Sequence, residues 1–201
     1  MFSQRDEEKY IVKYFKQHGL RNHGRFLDIG AWDGITFSNT RQLALQGWGG
    51  VLVEPAPSLH GVLEKLYWNN PKIKIIEVGI GLKRGVLPFY DFCGDAVGTF
   101  DKKHAKLWEE KGKRKWEKKK IEVITVNDLL SHVGYDFDFI NIDAEGWSVD
   151  LLGAFDLNKL EKLKMICVEF EHKEKIIEIL VSKHGFRLLH QTAENMIWIR
   201  K

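Results

Sequence analysis

The chain has 201 residues, enough for one domain with a small extra element, and 44% of them are hydrophobic, which suits a single buried core. No apolar run approaches the ~20 residues that span a bilayer, and the polar, charged stretch from Met1 to Lys9 predicts no secretory leader and a cytoplasmic setting. Net charge is +3, but Asp101 to Lys120 holds ten Lys/Arg against four Asp/Glu while the remainder holds 21 against 24, so the basic character is local.

In chain order, apolar residues at Tyr10, Ile11, Tyr14 and Phe15 predict a helix from Asp6 to His18, with Gly19 and Gly24 around its end. Arg25 to Gly30 reads as a buried strand running into a tight turn. Ser38 to Gln46 follows as a helix, capped by Ser38 or Asn39 and stopped at Gly47. Gly50 to Glu54 is a second buried strand, Pro57 to Asn69 a second helix, and Lys72 to Val78 a third strand. Val86 to Tyr90 and Glu122 to Val126 read as short strands on either side of the basic segment, which is expected to be helical or partly mobile. Phe137 to Ile142 and Leu163 to Phe170 are further buried strands, His172 to His184 a helix, and Gly185 to His190 with Met196 to Arg200 a closing hairpin. Cys93 and Cys167 stand apart, without C-x-x-C spacing, and are expected to be reduced thiols, Cys167 within the core.

Strands alternating with helices predict an α/β fold with a largely parallel sheet, whose ligands bind beyond the carboxyl ends of the strands. Those ends carry Asp28, Glu54, Asp143 and the run Glu169 to His172. Between strand and helix, Asp28-Ile29-Gly30-Ala31-Trp32-Asp33-Gly34 has glycines where a backbone must turn and approach a ligand. Trp32 occupies the middle glycine of a G-x-G-x-x-G loop and obstructs a pyrophosphate, while Asp28 suits an amino-bearing cation better. Glu54, 20 residues past Gly34, stands where an acid accepts bonds from ribose hydroxyls. The plainer alternatives are a turn cap at Asp28 and a solvated strand end at Glu54.

These motifs resemble the FkbM-type methyltransferases. Ser3, Gln4 and Glu8 resemble that family's S-Q-x-x-x-E entry to the first helix, and Asp28 to Gly34 its D-I-G-A-N-D-G loop, with Trp32 at the usual Asn. Ser38-Asn39-Thr40, Gly47-Trp48-x-Gly50 and Glu54-Pro55 follow in family order. Ile142-Asp143-Ala144-Glu145-Gly146 resembles the I-D-x-E-G signature, and Glu169-Phe170-Glu171-His172 the final E-x-x-H. The resemblance spans nearly the whole chain, residues 1–201, as one domain with an N-terminal helical extension (1–24) and a Lys-rich insertion (91–120) that has no family counterpart. It implies a Rossmann-like class I methyltransferase fold, with a mostly parallel seven-stranded sheet, helices on both faces and a C-terminal antiparallel hairpin. It also implies S-adenosylmethionine as cofactor. Asp28, Gly30, Asp33, Gly34 and Glu54 would hold it, with Ala31, Trp32 and Pro55 in the same loops, Asn39 near the methionine end, and Val78 and Gly79 near the adenine.

Methyl transfer needs an aligned acceptor and, for a hydroxyl, a base. Asp143, Glu145 and His172 are the candidate catalytic residues, since two close acids raise one pKa and a histidine titrates near neutrality. Alternatives are Asp143 as a helix cap, Glu145 paired with a lysine and His172 capping the last helix. A divalent metal on Asp143, Glu145 and His172 is a further reading. The other histidines show no ligand spacing and read as surface or core residues. In the basic segment, Lys102-Lys103, Lys106, Lys111, Lys113-Arg114-Lys115 and Lys118-Lys119-Lys120 are interleaved with Trp108 and Trp116. This is either a solvated face with its tryptophans packed inward or a site for an anion. The expected acceptor is a small-molecule or glycan hydroxyl. The competing readings are an RNA ribose, or a non-catalytic binding module that uses the lysines.

Overall fold

The computed structural model describes residues 1–201 except Arg21, Lys113, Arg114, Glu171 and His172. Seven strands form the main sheet: β1 (Arg25–Ile29), β2 (Gly49–Val53), β3 (Ile73–Ile76), β7 (Phe139–Ile142), β8 (Met165–Glu169), β9 (Phe186–Gln191) and β10 (Asn195–Arg200). Their order is β3-β2-β1-β7-β8-β10-β9. The first five run parallel and β10 pairs antiparallel with both β8 and β9, so the sheet is mostly parallel with an antiparallel C-terminal hairpin. The direction of strand succession reverses between β1 and β7, and in such sheets a crevice opens at that point beyond the carboxyl ends.

Side chains alternate along each strand, so the sheet has two apolar faces. Leu27, Val51, Ile140 and Ile166 face one core with helices α5 (Val126–Val133), α6 (Ser148–Ala154) and α7 (Glu174–Ser182). Phe26, Leu52, Phe139 and Met165 face the other, covered by α1 (Glu7–Gln17), α2 (Arg41–Leu45) and α3 (Pro57–Tyr67). Cys167 is fully buried in β8 and its thiol pKa is pushed well up by burial; Cys93 is exposed, and neither forms a disulfide. Among the described residues no helix is long and apolar enough to cross a membrane.

Between β3 and β7 the chain builds a second, three-stranded sheet in the order β4-β6-β5, from β4 (Gly79–Gly81), β5 (Gly85–Asp91) and β6 (Glu117–Thr125), with α4 (Lys102–Glu110) in the β5–β6 connection. Phe89 and Ile121 seat this sheet on Ala56 and Leu59 beside the start of α3. Here the structure corrects the sequence reading. The basic segment is neither wholly helical nor a mobile loop, because its last lysines belong to β6, which begins at Glu117 rather than Glu122. Lys118, Lys119 and Lys120 pair with Tyr90, Phe89 and Pro88 of β5. Their charges hide the alternation that marks a strand.

Candidate functional site

A cavity of about 570 Å³ opens at the carboxyl ends of β1, β2, β7 and β8. Its first wall is the loop after β1. Gly30 and Ala31 both donate their N–H to Val53 O, and Gly30 has φ +84°. A Cβ there would lie 1.8 Å from the Asp143 carbonyl oxygen, so only glycine lets β1 end against β7. Trp32 also has positive φ, +48°, a backbone conformation in which Asn is at ease and Trp is strained. Packing holds it: the ring lies against the Phe89 cluster, and Nε1 donates to Gly94 O at 2.8 Å. Asp33 folds back on its own loop, accepting from the Ile35 and Thr36 N–H groups and the Thr36 hydroxyl.

Asp28 and Glu54 are both buried, which rules out the solvated strand end considered for Glu54. Asp28 accepts from the Thr40 hydroxyl at 2.6 Å and Asn141 Nδ2 at 2.8 Å, and burial pushes its pKa up to about 6 despite those bonds. Asn39 donates to Asn141 Oδ1, so it supports this buried row and is not among the residues lining the cavity. Glu54 accepts from the Ala56 N–H at 2.8 Å and the Trp32 N–H at 2.9 Å, so one carboxylate joins the loops after β1 and β2. Burial pushes its pKa up to about 7, and the charges of Asp28 and Asp91 add to the rise. Of the residues expected around a cofactor, Asp28, Gly30, Ala31, Trp32, Glu54, Pro55 and Val78 line the cavity. Asp33, Gly34, Asn39 and Gly79 are not among the residues that line it.

Asp143, Glu145 and Glu169 converge on the other side, each offering a carboxylate oxygen within 4.8 Å of the others'. Glu169 accepts from the Ser148 hydroxyl. Asp143 does not cap a helix, because α6 begins at Ser148 with Trp147 in the cap position. Among the described residues Glu145 pairs with no lysine; its Oε2 lies 2.9 Å from His104 Nε2. His172 falls outside the described residues. The sequence reading put Glu169 at this edge but did not group it with Asp143 and Glu145, and it missed His104 as a site neighbour. The acid at the carboxyl end of β8 was a usable signal for the first; nothing in the spacing of His104 signals the second.

The remaining wall comes from the insertion. Asp95 to Phe100 and Trp108 line the cavity, and Phe100 stacks on Trp147 with ring centroids 5.2 Å apart. The cavity-lining residues thus include seven carboxylates, with Glu194 from the turn before β10, and several aromatic rings, but no lysine or arginine among the described residues. On α4, Ala105 is buried and Trp108 reaches the cavity, while Lys102, Lys103 and Lys106 are exposed and do not line it. The N-terminus closes the edge. Ser3 bridges to Phe37, Arg5 makes a forked ion pair with Glu194, and Gln4 lines the cavity.

The sequence profile described as "Methyltransferase FkbM domain" matches residues 28–188. No curated protein sequence matches the chain. Among solved structures, the chain is similar to monomeric WbdD (TM-score 0.55, 12% identity), over 98% of this chain but only 41% of WbdD. It is also similar to a candidate caffeoyl-CoA O-methyltransferase from Staphylococcus aureus (TM-score 0.54, 14% identity, 100% of this chain and 86% of that one). A ribosomal protein L11 methylase from Lactobacillus delbrueckii subsp. bulgaricus gives TM-score 0.50 at 15% identity, over 98% and 80% of the two chains. At these identities the likeness is one of fold.

Proposed function

Because the chain belongs to the FkbM methyltransferase domain family, we propose that it is an S-adenosylmethionine-dependent O-methyltransferase whose acceptor is a hydroxyl of a neutral molecule rich in hydroxyls, a sugar or glycan. The observation that carries this reading is the cavity lining: carboxylates and aromatic rings without a lysine or arginine among the described residues. Carboxylates accept hydrogen bonds from hydroxyls, rings pack on the apolar face of a sugar, and a lining of this sign repels an anionic acceptor.

The same lining fits the cofactor. Its sulfonium and ammonium groups are cationic, its ribose offers two donors, and the missing Cβ at Gly30 leaves room for a close approach. Glu54 would accept the ribose hydroxyls, Val78 would border the adenine, and Asp28 would brace the loop through Thr40 and Asn141. When bound, S-adenosylmethionine supplies a methyl carbon whose bonding pair departs with sulfur. The protein's own task is to align the acceptor oxygen and take its proton, and Glu145 or Asp143 stands in place for that.

A second reading, an RNA ribose acceptor, draws on the exposed lysines. Among the described residues none of Lys102, Lys103, Lys106, Lys118 and Lys120 has an ion-pair partner. They stand outside the cavity, so they would hold phosphates flanking the reacting ring. Methyl-labelled cofactor offered with methyl glycosides, uronic acids and single-stranded RNA separates the readings. Label in the neutral glycosides supports the first. Label in RNA alone, with affinity falling steeply with salt, supports the second. Label in none, with the cofactor bound, contradicts both.

A further inference from the structure

The acid in the I-D-x-E-G turn is held by the insertion at two points. Glu145 has φ +25°, a conformation that strains a non-glycine residue and persists only where neighbours impose it. Its carbonyl oxygen accepts from the Thr99 hydroxyl at 2.7 Å, and its Oε2 meets His104 Nε2 at 2.9 Å. Both partners are fixed. Thr99 is buried, is bridged to Tyr90 and accepts through its hydroxyl from the Asp101 N–H. Asp101 caps α4, accepting from the N–H groups of Lys103 and His104. Ala105, fully buried beside Tyr90, Phe92 and Val97, anchors the first turn. Gly146 completes the turn at φ +93°, a conformation that favours glycine, and a Cβ there would meet His104 Nδ1 only at an ordinary 3.5 Å.

His104 is absent from the cavity lining, so it does not touch the acceptor, whereas Glu145 is part of that lining. An Nε2–H donated to Oε2 fixes the rotamer of the carboxylate and leaves its other oxygen to serve the cavity.

We propose that Glu145 accepts the proton of the acceptor hydroxyl and that His104 is the positioning residue that holds it there, which makes the basic insertion a working part of the acceptor site. In this step the acceptor O–H bond breaks, its proton forms an O–H bond with the Glu145 carboxylate, and the electron pair remains on the acceptor oxygen. Solvent later takes the proton from Glu145. The assignment rests on the hydroxyl-methylation reading above.

The test uses the full chain with His104→Ala, His104→Gln and Glu145→Ala. In isotope-labelled wild-type protein, the His104 imidazole should show an Nε2 proton protected from exchange, and Glu145→Ala should abolish that protection. In turnover with the best acceptor from the panel above, His104→Ala should lower kcat about 10–100-fold, the scale of a misplaced catalytic group. Affinity for S-adenosylmethionine should not change. His104→Gln, whose amide N–H can reach the same oxygen, should recover most of the loss. No protected Nε2 proton, or full turnover in both His104 variants, overturns the assignment while leaving hydroxyl methylation standing. Intact cofactor binding without turnover on any acceptor overturns the functional reading and this assignment with it.

Discussion

Consider Glu54→Gln. The wild-type carboxylate is 5% exposed, and burial raises its pKa to about 7 although two backbone N–H groups donate to it. In the unfolded chain the same group titrates near ~4.3. The folded pKa is the higher one, so the folded state binds the proton more tightly, and stability falls as pH rises from the lower value through 7. The ionised form costs the unliganded fold roughly 3 kcal/mol more at pH 8 than at pH 4.5. Gln carries no such cost at any pH. It does turn an amide NH2 toward one of the two backbone N–H groups, a loss of about 1–3 kcal/mol that does not vary with pH. The difference in stability between variant and wild type should therefore swing toward the variant by about 3 kcal/mol across that range. At ~2–4 °C per kcal/mol for a chain of this size, the swing in relative Tm is roughly 6–12 °C. Thermal unfolding of both proteins without ligand, followed by circular dichroism at several pH values, reads it directly. Two Tm curves that stay parallel from pH 4.5 to 8 would refute the claim that Glu54 is held ionised against its burial.

The same titration predicts that affinity for S-adenosylmethionine weakens below pH 7 as Glu54 takes up a proton, by up to about tenfold at pH 6 in calorimetry; a flat profile removes Glu54 from the cofactor contacts. Gly30→Ala places a Cβ against the Asp143 carbonyl at a positive φ and should cost at least ~3 kcal/mol in urea unfolding; an unchanged midpoint contradicts the packing of β1 on β7. Glu7 is fully buried and accepts from the Arg5 N–H, the Thr192 hydroxyl and Asn195 Nδ2. Glu7→Ala should destabilise by ~2–4 kcal/mol by stranding those donors, and a shift below that range would mean they find other partners. Replacing Lys102, Lys103 and Lys106 together by Ala should leave cofactor affinity unchanged, since all three are exposed and none lines the cavity; lost affinity would place them in the site.

The parallel strands were legible because their residues are apolar on both faces and end in acids or glycines, as in Leu27 to Gly30 and Val51 to Glu54. The short helices were harder. α5 and α6 have eight and seven residues, too few for a periodic pattern to stand out; α5 starts on a capping box at Thr125, whereas α6 has no side-chain cap. The strand β6 lay under a run of lysines whose alternation is visible only against Tyr90, Phe89 and Pro88 of β5. In the site, the acids at strand ends could be read from topology, since the carboxyl ends of neighbouring parallel strands meet at one edge. His104 could not, because it reaches Glu145 from 41 positions away through a helix whose visible feature is its charge. Asn39 was placed at the cofactor by motif, yet the structure turns its side chain onto Asn141.

Binding of S-adenosylmethionine in the cavity at the ends of β1, β2, β7 and β8 should depend on Glu54. Calorimetric titration of wild-type protein and Glu54→Ala, each with S-adenosylmethionine and with its demethylated product at pH 8, tests it most directly. The account predicts one site of micromolar affinity for both ligands in the wild type and a loss of at least tenfold, about 1.4 kcal/mol, in the variant, with the folded signature of the variant intact by circular dichroism. No binding to the wild-type protein would contradict it, and equal binding to both proteins would move the cofactor away from Glu54.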